Sequence, residues 1–339
     1  MTHRVNEALA LSTSLPVTHG ICSGRVDRWA VIMAGGDGTR LRSLTREIAG
    51  DDRPKQFSRI LGEATLLDQT ISRVGLSVPA AQTMFAVTQT HESFYDSHLS
   101  YVPRTQMVIQ PKNAGTAPAI LYSLLRVARV NPAAAVVFFP SDHYVSDDAL
   151  FMSHVESAFD MTQTRTGFVI LLGMEPDGPE AEYGWIEPVS ATLTRNPDAL
   201  SWVRRFWEKP TPELANKLMA RGCLWNSFVM VGRVSAFLEM IRRASPDLYD
   251  RFGALEPYLG RDDEQDKARS LYSHLPDINF SRHILAARPR DLAVLPVTGL
   301  RWRDLGKPRR VLSTLADMGV KPAQAHAWNS ASRLEATLA

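Results

Sequence analysis

Three glycines, an arginine and a lysine near the start of the chain have a spacing suited to holding phosphate. The apolar run 29–33 leads into Gly-Gly-Asp-Gly-Thr-Arg at 35–40, and Lys55 follows fifteen residues later. Glycines at a strand end allow positive φ angles and turn several backbone N–H groups toward one point, which forms an anion-binding nest. Arginine adds a planar fork of donors, and lysine adds a movable point charge. The spacing therefore predicts a loop that binds a triphosphate.

Two better-known glycine loops do not fit this segment. A P-loop carries Gly-Lys-Ser or Gly-Lys-Thr after its variable residues, and no such triplet follows Gly38. A dinucleotide-binding fingerprint needs a third glycine, and Leu41 stands at that position. A glycine-rich turn without a ligand is the other alternative. The later Pro-Lys pair at 54–55 favours the phosphate site over it.

Two aspartates stand where they could hold a metal ion beside those phosphates. Asp142 follows the apolar run at 135–140, and Asp304 lies far along the chain between Trp302 and Gly306. Carboxylate oxygens are ligands that Mg²⁺ prefers, together with phosphate oxygens. Each aspartate has an ordinary alternative, because Asp commonly caps helices and commonly precedes Gly in turns. Position alone leaves Asp142 balanced between a metal ligand and a cap.

A segment at 110–117 offers groups suited to a nucleobase. The amide of Gln110 provides both a donor and an acceptor for a base edge, and Gly115 would let a flat base approach the backbone. The alternative is an ordinary strand-to-helix turn, with Thr116 near the helix cap. The residue types alone favour the turn, and they do not indicate a preferred base.

Later segments carry side chains that could bind a sugar phosphate. Glu208 could accept hydrogen bonds from two vicinal hydroxyls, and Lys209 could hold the phosphate. Gly184 would let a sugar ring lie close to the backbone. Asn226 belongs to a Trp-Asn-Ser segment that reads as a turn. The ordinary alternatives are an exposed charge pair at a strand end and turns without a ligand.

The glycine loop together with Pro54 and Lys55 resembles the signature of the sugar-1-phosphate nucleotidyltransferases, and the mannose-1-phosphate guanylyltransferase (GDP-mannose pyrophosphorylase) branch is the most similar. The resemblance covers roughly residues 29–318. It implies that Arg40, Lys55 and Asp142 are catalytic and that Asp142 and Asp304 hold Mg²⁺. The implied nucleotide-binding residues are Ala34, Gly35, Gly36, Gly38, Thr39, Arg40, Gln110, Gly115 and Thr116. The implied sugar-phosphate-binding residues are Tyr183, Gly184, Glu208, Lys209 and Asn226.

The resemblance implies Mg²⁺-dependent transfer of a nucleotidyl group from an NTP to a sugar 1-phosphate, with release of pyrophosphate. GTP and mannose 1-phosphate are the expected substrates. Glucose 1-phosphate with a uridylyl, thymidylyl or adenylyl donor is the alternative pair, and a non-catalytic sugar-nucleotide sensor on the same fold is an alternative of another class. The presence of Arg40, Lys55, Asp142 and Asp304 favours the enzyme, because a sensor would lose its metal and phosphate groups.

Alternating strand and helix signals position these segments at one edge of a sheet. Strands are predicted at 29–33, 83–88, 106–110, 135–140 and 168–173, with helices at 65–76, 115–130 and 149–162. With the resemblance, this alternation predicts an α/β, Rossmann-like three-layer fold with a mixed, mostly parallel central sheet. Ligands of such sheets lie beyond the carboxyl ends of the strands. The glycine loop, Gln110 and Asp142 all fall at such ends.

The remainder of the chain is predicted to complete this domain. Strands are expected at 183–189, 201–208 and 291–297, and helices at 211–221, 233–244, 264–273 and 308–318. The predicted division is a flexible N-terminal extension at 1–28, a nucleotidyltransferase domain at 29–306 and a C-terminal helical tail at 307–339. The charged stretch 42–53, between the glycine loop and the lysine, is interpreted as a lid.

Bulk properties exclude several other classes of protein. A net charge of +2 on 339 residues, with arginines in pairs rather than a stripe, does not indicate a nucleic-acid-binding protein. The two cysteines, Cys22 and Cys223, are too few for a disulfide framework or a cysteine metal site. No apolar run reaches the length of a transmembrane helix. A cytoplasmic location without a membrane partner is expected, and a homodimer is left open.

Overall fold

The structure, a computed structural model, describes residues 27–189 and 200–319. Most of the predicted N-terminal extension, including Cys22, and the predicted tail beyond residue 319 lie outside the described residues. Within the described residues, a nine-stranded sheet carries helices on both faces, and a separate two-stranded sheet lies beside it. None of the helices in this part of the chain has the length and apolar character that a bilayer span requires.

The strands are β1 Arg28–Met33, β2 Thr83–Thr88, β3 Met107–Gln110, β4 Ala135–Pro140, β5 His143–Val145, β6 Val169–Met174, β7 Gly184–Pro188, β8 Ser201–Glu208, β9 Leu224–Arg233, β10 Leu292–Val297 and β11 Trp302–Asp304. The helices are α1 Arg42–Ala49, α2 Leu66–Val74, α3 Glu92–Leu99, α4 Thr116–Val130, α5 Asp148–Thr164, α6 Pro212–Ala220, α7 Val234–Ala244, α8 Pro246–Gly253, α9 Glu264–Ser273 and α10 Pro308–Asp317. Each predicted strand and helix is confirmed to within a few residues. Sequence reasoning missed α1, α3, α8, β5, β9 and β11.

The large sheet has the order β3-β2-β1-β4-β9-β6-β10-β8-β7, and β7 also pairs with the start of β9. Parallel pairs join β2 to β1 and β3, β1 to β4, and β6 to β10. The two strands β8 and β9 run antiparallel to their neighbours. Seven of the nine strands of this sheet therefore point in one direction, which confirms the predicted α/β fold with a mixed, mostly parallel sheet.

The sheet is buried on both faces, which explains its continuous apolar strand sequences. In β1, Trp29 and Val31 pack in one apolar layer with α4 and α7, while Ala30 and Ile32 pack in the opposite layer with α2 and α5. Successive side chains of a strand point to opposite faces, so both sets must be apolar. The two layers fix the carboxyl ends of β1, β3 and β4 at one edge of the sheet.

The segment 225–227, interpreted as a turn, lies in β9 instead. Trp225 and Asn226 pair with β6, and Trp225 also pairs with Trp185 of β7. A bulge follows, where the register between β6 and β9 shifts and Phe228 adopts a φ of +61°. The interpretation as a turn was wrong because a fully buried strand shows no polar alternation, and the Trp-Asn-Ser sequence resembles turn chemistry.

The stretch interpreted as a lid contains the helix α1. Leu41 and Leu44, at its start, pack in a third apolar cluster with Leu305 and with Val311 of α10. Helix α10, the described part of the predicted tail, therefore packs directly against the segment that follows the glycine loop.

Candidate active site

A cleft with a volume of about 520 Å³ lies beyond the carboxyl ends of β1, β3 and β4. The predicted site residues that line it are Gly35, Gly36, Gly38, Thr39, Arg40, Lys55, Gln110, Gly115, Thr116, Asp142, Tyr183, Gly184, Glu208, Lys209, Asn226 and Asp304. Ala34 does not line the cleft, because it is fully buried and its N–H donates to the carbonyl of Ala86. The structure thus brings together every predicted site residue except Ala34.

The glycine loop is held by protein donors that occupy its carbonyl oxygens. The amide of Gln56 donates to the carbonyls of Ala34 and Gly36 at 3.0 and 2.8 Å, and the Thr88 hydroxyl donates to Gly35 at 2.9 Å. These bonds fix the loop from the protein side. Gln56 was not singled out in the sequence, although it stands directly after Lys55.

Two of the loop glycines are required by space and conformation. A Cβ on Gly35 would lie 2.8 Å from the Thr88 hydroxyl, which is closer than real Cβ contacts. Gly38 has a φ of +60°, and a Cβ there would lie 2.9 Å from the backbone nitrogen of Lys55. Only glycine adopts such a conformation without strain and allows this close approach. The loop therefore packs directly on the turn that carries the lysine.

Asp37, at the tip of the loop, is tied to two other segments. The Asn113 amide donates to Asp37 at 2.8 Å, and Nε2 of His91 lies 3.2 Å from its other oxygen. Burial lowers the pKa of His91, although the Asp37 carboxylate partly opposes this. The contact with Asn113 fixes the glycine loop relative to the segment predicted to bind the base.

Lys55 bridges the two aspartates that were predicted to hold a metal ion. Its Nζ lies 3.1 Å from Oδ2 of Asp142 and 3.1 Å from Oδ1 of Asp304. The antiparallel pairing of β5 with β11 places His143 opposite Asp304 and so brings two distant parts of the chain together. Burial alone would lower the pKa of Lys55, but the two carboxylates outweigh it and raise that pKa. The lysine is therefore held as a cation.

Asp304 contacts two cations, Lys55 and Arg310, and remains ionised. Burial would raise its pKa, but Lys55, His143 and Arg310 together lower it far below its usual range. Arg310, from the first turn of α10, lies 3.6 Å from Oδ2 of Asp304, and its guanidinium stacks over the Tyr183 ring at 4.2 Å. Burial lowers the pKa of His143 despite its two acidic neighbours. Arg310 was singled out in the sequence only as one of a pair.

Asp142 and Asp304 would suit Mg²⁺, which shares its ligands between protein and substrate, better than a metal ion whose ligands all come from the protein. In the part of the chain that the structure describes, no cluster of three or more His, Cys, Asp or Glu side chains could hold a metal. Asp142 and Asp304 nevertheless present oxygens to one shared cation, the Lys55 ammonium. Mg²⁺ commonly takes one or two carboxylates and completes its shell with substrate phosphates and water. The donor set has this composition.

One end of the cleft has a narrow wall built by two crossing segments. Gln110 accepts a hydrogen bond from the Tyr272 hydroxyl at 3.3 Å, and Thr116 accepts one from the backbone of Phe280 at 2.8 Å. Gly115 has a φ of +88°, and a Cβ there would clash with the carbonyl of Ile278 at 2.5 Å. The crossing segment also contributes Asp277 and Asn279 to the lining of the cleft, and neither was among the predicted site residues.

The other end of the cleft is formed where β7, β8 and β9 meet. A Cβ on Gly184 would lie 3.2 Å from Cβ of Asn226 and 3.3 Å from Oε2 of Glu208, so these residues surround one small space. Burial raises the pKa of Glu208, while Lys209 opposes this. Lys209 adopts a φ of +48°, which is uncommon for a residue with a side chain. Tyr183 closes the space and packs its ring edge-on against Trp225.

Comparison with known proteins points in one direction. The nucleotidyl transferase family matches residues 29–319 of this chain. The mannose-1-phosphate guanylyltransferase of Escherichia coli K12 is 28% identical over 298 residues, which are 82% of this chain and 58% of that protein. The alginate biosynthesis protein AlgA of Pseudomonas syringae pv. tomato is 28% identical over 283 residues, with coverages of 81% and 56%. The chain therefore spans little more than half the length of these curated relatives.

Solved structures agree with this result. A Thermus thermophilus protein described as a mannose-1-phosphate geranyltransferase superposes with a TM-score of 0.72 at 26% identity, over 85% of this chain and 79% of that one. A glucose-1-phosphate thymidylyltransferase from Bacillus anthracis, described as putative, superposes with a TM-score of 0.51 at 16% identity, over 86% of this chain and 96% of that one. The second likeness shows the fold alone.

Proposed function

The chain belongs to the nucleotidyl transferase family, and from that premise we propose that it joins an NTP to a sugar 1-phosphate and releases pyrophosphate. The observation that carries the proposal is the position of Lys55, 3.1 Å from both Asp142 and Asp304 in a cleft that begins with the glycine loop. A buried cation held by two carboxylates beside a phosphate-binding loop is suited to stabilise the negative charge that develops during transfer of a nucleotidyl group.

The reaction needs positioning and charge neutralisation rather than a general base. A phosphate oxygen of the sugar phosphate is already anionic, and it attacks the α-phosphorus in line with the departing pyrophosphate. Arg40 and the N–H groups of the glycine loop hold the β and γ phosphates. Lys55 offsets the negative charge that develops at the α-phosphate, where its buried position strengthens the interaction.

Asp142 and Asp304 would hold Mg²⁺ in this scheme. The ion supplies positive charge and orients the phosphate oxygens when it is bound. Lys55, with help from His143 and Arg310, keeps the Asp304 carboxylate ionised, and the pairing of β5 with β11 holds it in place.

Substrate identity is proposed from the two ends of the cleft and from the relatives. Gln110, Gly115 and Thr116 bind the nucleobase, while Tyr183, Gly184 and Asn226 border the sugar. Glu208 accepts hydrogen bonds from sugar hydroxyls, and Lys209 anchors the sugar phosphate. GTP and mannose 1-phosphate are the proposed pair, because the relatives that match over most of this chain include mannose-1-phosphate guanylyltransferases.

The test is pyrophosphate release with Mg²⁺, in which GTP, ATP, UTP, CTP and dTTP are each combined with mannose and glucose 1-phosphates. Release with GTP and mannose 1-phosphate supports the proposed pair. Release in another combination keeps the reaction and replaces the substrates. Nucleotide binding without release in any combination would refute the proposed catalysis and favour a sensor.

A further inference from the structure

A second group of charges lies beside Arg40, outside the residues that carry the proposed reaction. The carboxylate of Glu182 contacts Nζ of Lys307 at 2.6 Å through one oxygen and Nη1 of Arg40 at 3.5 Å through the other. Burial would raise the pKa of Glu182, but Lys307 outweighs it, with help from Arg310 and Arg40, and that pKa is lowered. Glu182 is thus an ionised carboxylate shared by three cations, since Nη2 of Arg310 also lies 3.5 Å from the oxygen that Arg40 contacts.

This arrangement places a negative charge where the proposed function requires a negative ligand. Both Glu182 and Arg40 line the cleft, and Arg40 leaves 53% of its side chain exposed there. Lys307 does not line the cleft itself; it follows the lining residue Gly306 and touches the cleft through its contact with Glu182. Gly306 brings the start of α10 against the same guanidinium, because a Cβ on Gly306 would lie 3.1 Å from Nη2 of Arg40. A carboxylate at this position repels phosphate, yet each of its oxygens takes a cation in the way that phosphate oxygens do.

The geometry points to Glu182 as an internal substitute for phosphate, which holds Arg40 and Lys307 until the pyrophosphate end of an NTP displaces it. Lys307 is then a further phosphate-binding residue beside Arg40. This inference rests on the proposed function and deepens it, since it names a group that sets the affinity for the polyphosphate. The exchange breaks the ion contacts of Glu182 with Arg40 and Lys307 and replaces them with contacts of the same two cations to the ligand, while the contact with Arg310 remains.

Two substitutions should change the affinity for pyrophosphate in opposite directions. Glu182→Gln keeps the shape of the side chain and removes its charge, so it should strengthen pyrophosphate binding about two- to fivefold, the size expected for one partly exposed charge contact. Lys307→Gln should weaken binding by a similar factor. A purely structural role for Glu182 predicts the opposite sign for its substitution, because Arg40 would then lose its support.

Glu180 provides a matched control two residues away. Its carboxylate lies 3.0 Å from Arg309 and 3.1 Å from Arg310, and it does not line the cleft. Glu180→Gln removes the same formal charge from the same segment. It should change the pyrophosphate affinity by less than twofold, which separates a contact with the ligand from a change in overall charge.

The experiment is a calorimetric titration of the full chain and its variants with inorganic pyrophosphate at a constant Mg²⁺ concentration. Thermal unfolding of each variant establishes that it is folded. Tighter binding by Glu182→Gln, weaker binding by Lys307→Gln and unchanged binding by Glu180→Gln are expected. Equal or weaker binding by folded Glu182→Gln, or no pyrophosphate binding by the wild-type chain, overturns the inference. If Glu182→Gln instead fails to fold, Lys307→Gln decides alone, and undiminished binding by it overturns the inference.

The same titration separates this inference from the proposed function. If the wild-type chain releases pyrophosphate in the activity assay but Glu182→Gln has an unchanged pyrophosphate affinity, the proposed function is supported and the proposed role of Glu182 is refuted. If the affinities follow the expected order but no pyrophosphate is released in any reaction, the phosphate-binding role of these residues is supported and the proposed catalysis is refuted. In an active enzyme, Glu182→Gln should also lower the KM for NTP without raising kcat.

Discussion

Replacement of Lys55 by methionine is expected to lower both the stability and the activity of the protein. Added Mg²⁺ should restore the stability but not the activity. Methionine preserves most of the buried stem of the lysine and removes only its charge. The Lys55 side chain is 9% exposed, and those of Asp142 and Asp304 are 23% and 19% exposed. Removal of one partner from a buried ion pair costs about 3–5 kcal/mol, because the other charge stays buried without compensation. Here two carboxylates would face each other.

Mg²⁺ offers those two carboxylates a replacement cation. Without Mg²⁺, Lys55→Met should lose about 3–5 kcal/mol of unfolding free energy in a urea titration. Added Mg²⁺ should raise the Tm of the variant more than that of the wild-type chain, since binding to the folded state alone stabilises it. The kcat should stay about 10²–10³-fold below wild type at saturating Mg²⁺, because the charge at the α-phosphate is no longer offset.

Lys217→Met is the matched control for this experiment. Lys217 is exposed on α6, so the same substitution there should change the unfolding free energy by no more than about 0.5 kcal/mol. Two results would contradict a buried charge of Lys55 that stabilises Asp142 and Asp304. One is a Lys55→Met stability within about 1 kcal/mol of wild type without Mg²⁺, and the other is an equal Mg²⁺ response in both proteins.

Three further predictions address other parts of the cleft. Asp304→Asn should lower kcat about 10²–10³-fold and raise the Mg²⁺ concentration for half-maximal pyrophosphate release; an unchanged Mg²⁺ requirement would exclude it as a ligand. Glu208→Gln should raise the Tm at pH 7.5 and raise the KM for sugar phosphate. Because burial raises the folded-state pKa of Glu208, the wild-type chain loses stability as the pH rises through that pKa, so the difference in Tm should vanish well below pH 4.5. Gly38→Ala should raise the KM for NTP about tenfold, because the φ of Gly38 is +60° and the new methyl group would meet the backbone nitrogen of Lys55. Gly50→Ala is the control: Gly50 has a φ of +79° but open space around it, so the KM for NTP should stay unchanged.

The parts of the fold that could be predicted from the sequence are those with local signals. Each parallel strand from β1 to β6 that enters the large sheet is a short apolar run between turn residues, and the helices that cover it show regular periodicity. Strand β9 could not be recognised in this way. It is buried on both faces and carries a bulge at Phe228, so neither alternation nor a clean boundary marks it.

In the candidate site, too, residues that are contiguous in sequence could be predicted, and contacts between distant segments could not. The glycine loop is contiguous in sequence, and its chemistry follows from residue types that stand next to one another. The contact of Asp304 with Lys55 depends on the pairing of β5 with β11, which joins residues that are far apart in the chain. The contact of Glu182 with Lys307 likewise depends on how α10 packs, and charged residues in a loop give no signal of their partners.

Transfer of the α-phosphorus from the NTP to the sugar phosphate can be followed by isotopic labelling. The chain would be incubated with Mg²⁺, mannose 1-phosphate and GTP that carries radioactive phosphorus at either the α or the γ position. The α label is expected to move into the nucleotide sugar, and the γ label is expected to leave in pyrophosphate. A γ label found in orthophosphate or on the sugar, or no transfer of either label by a chain that binds GTP, would contradict transfer of the α-phosphorus.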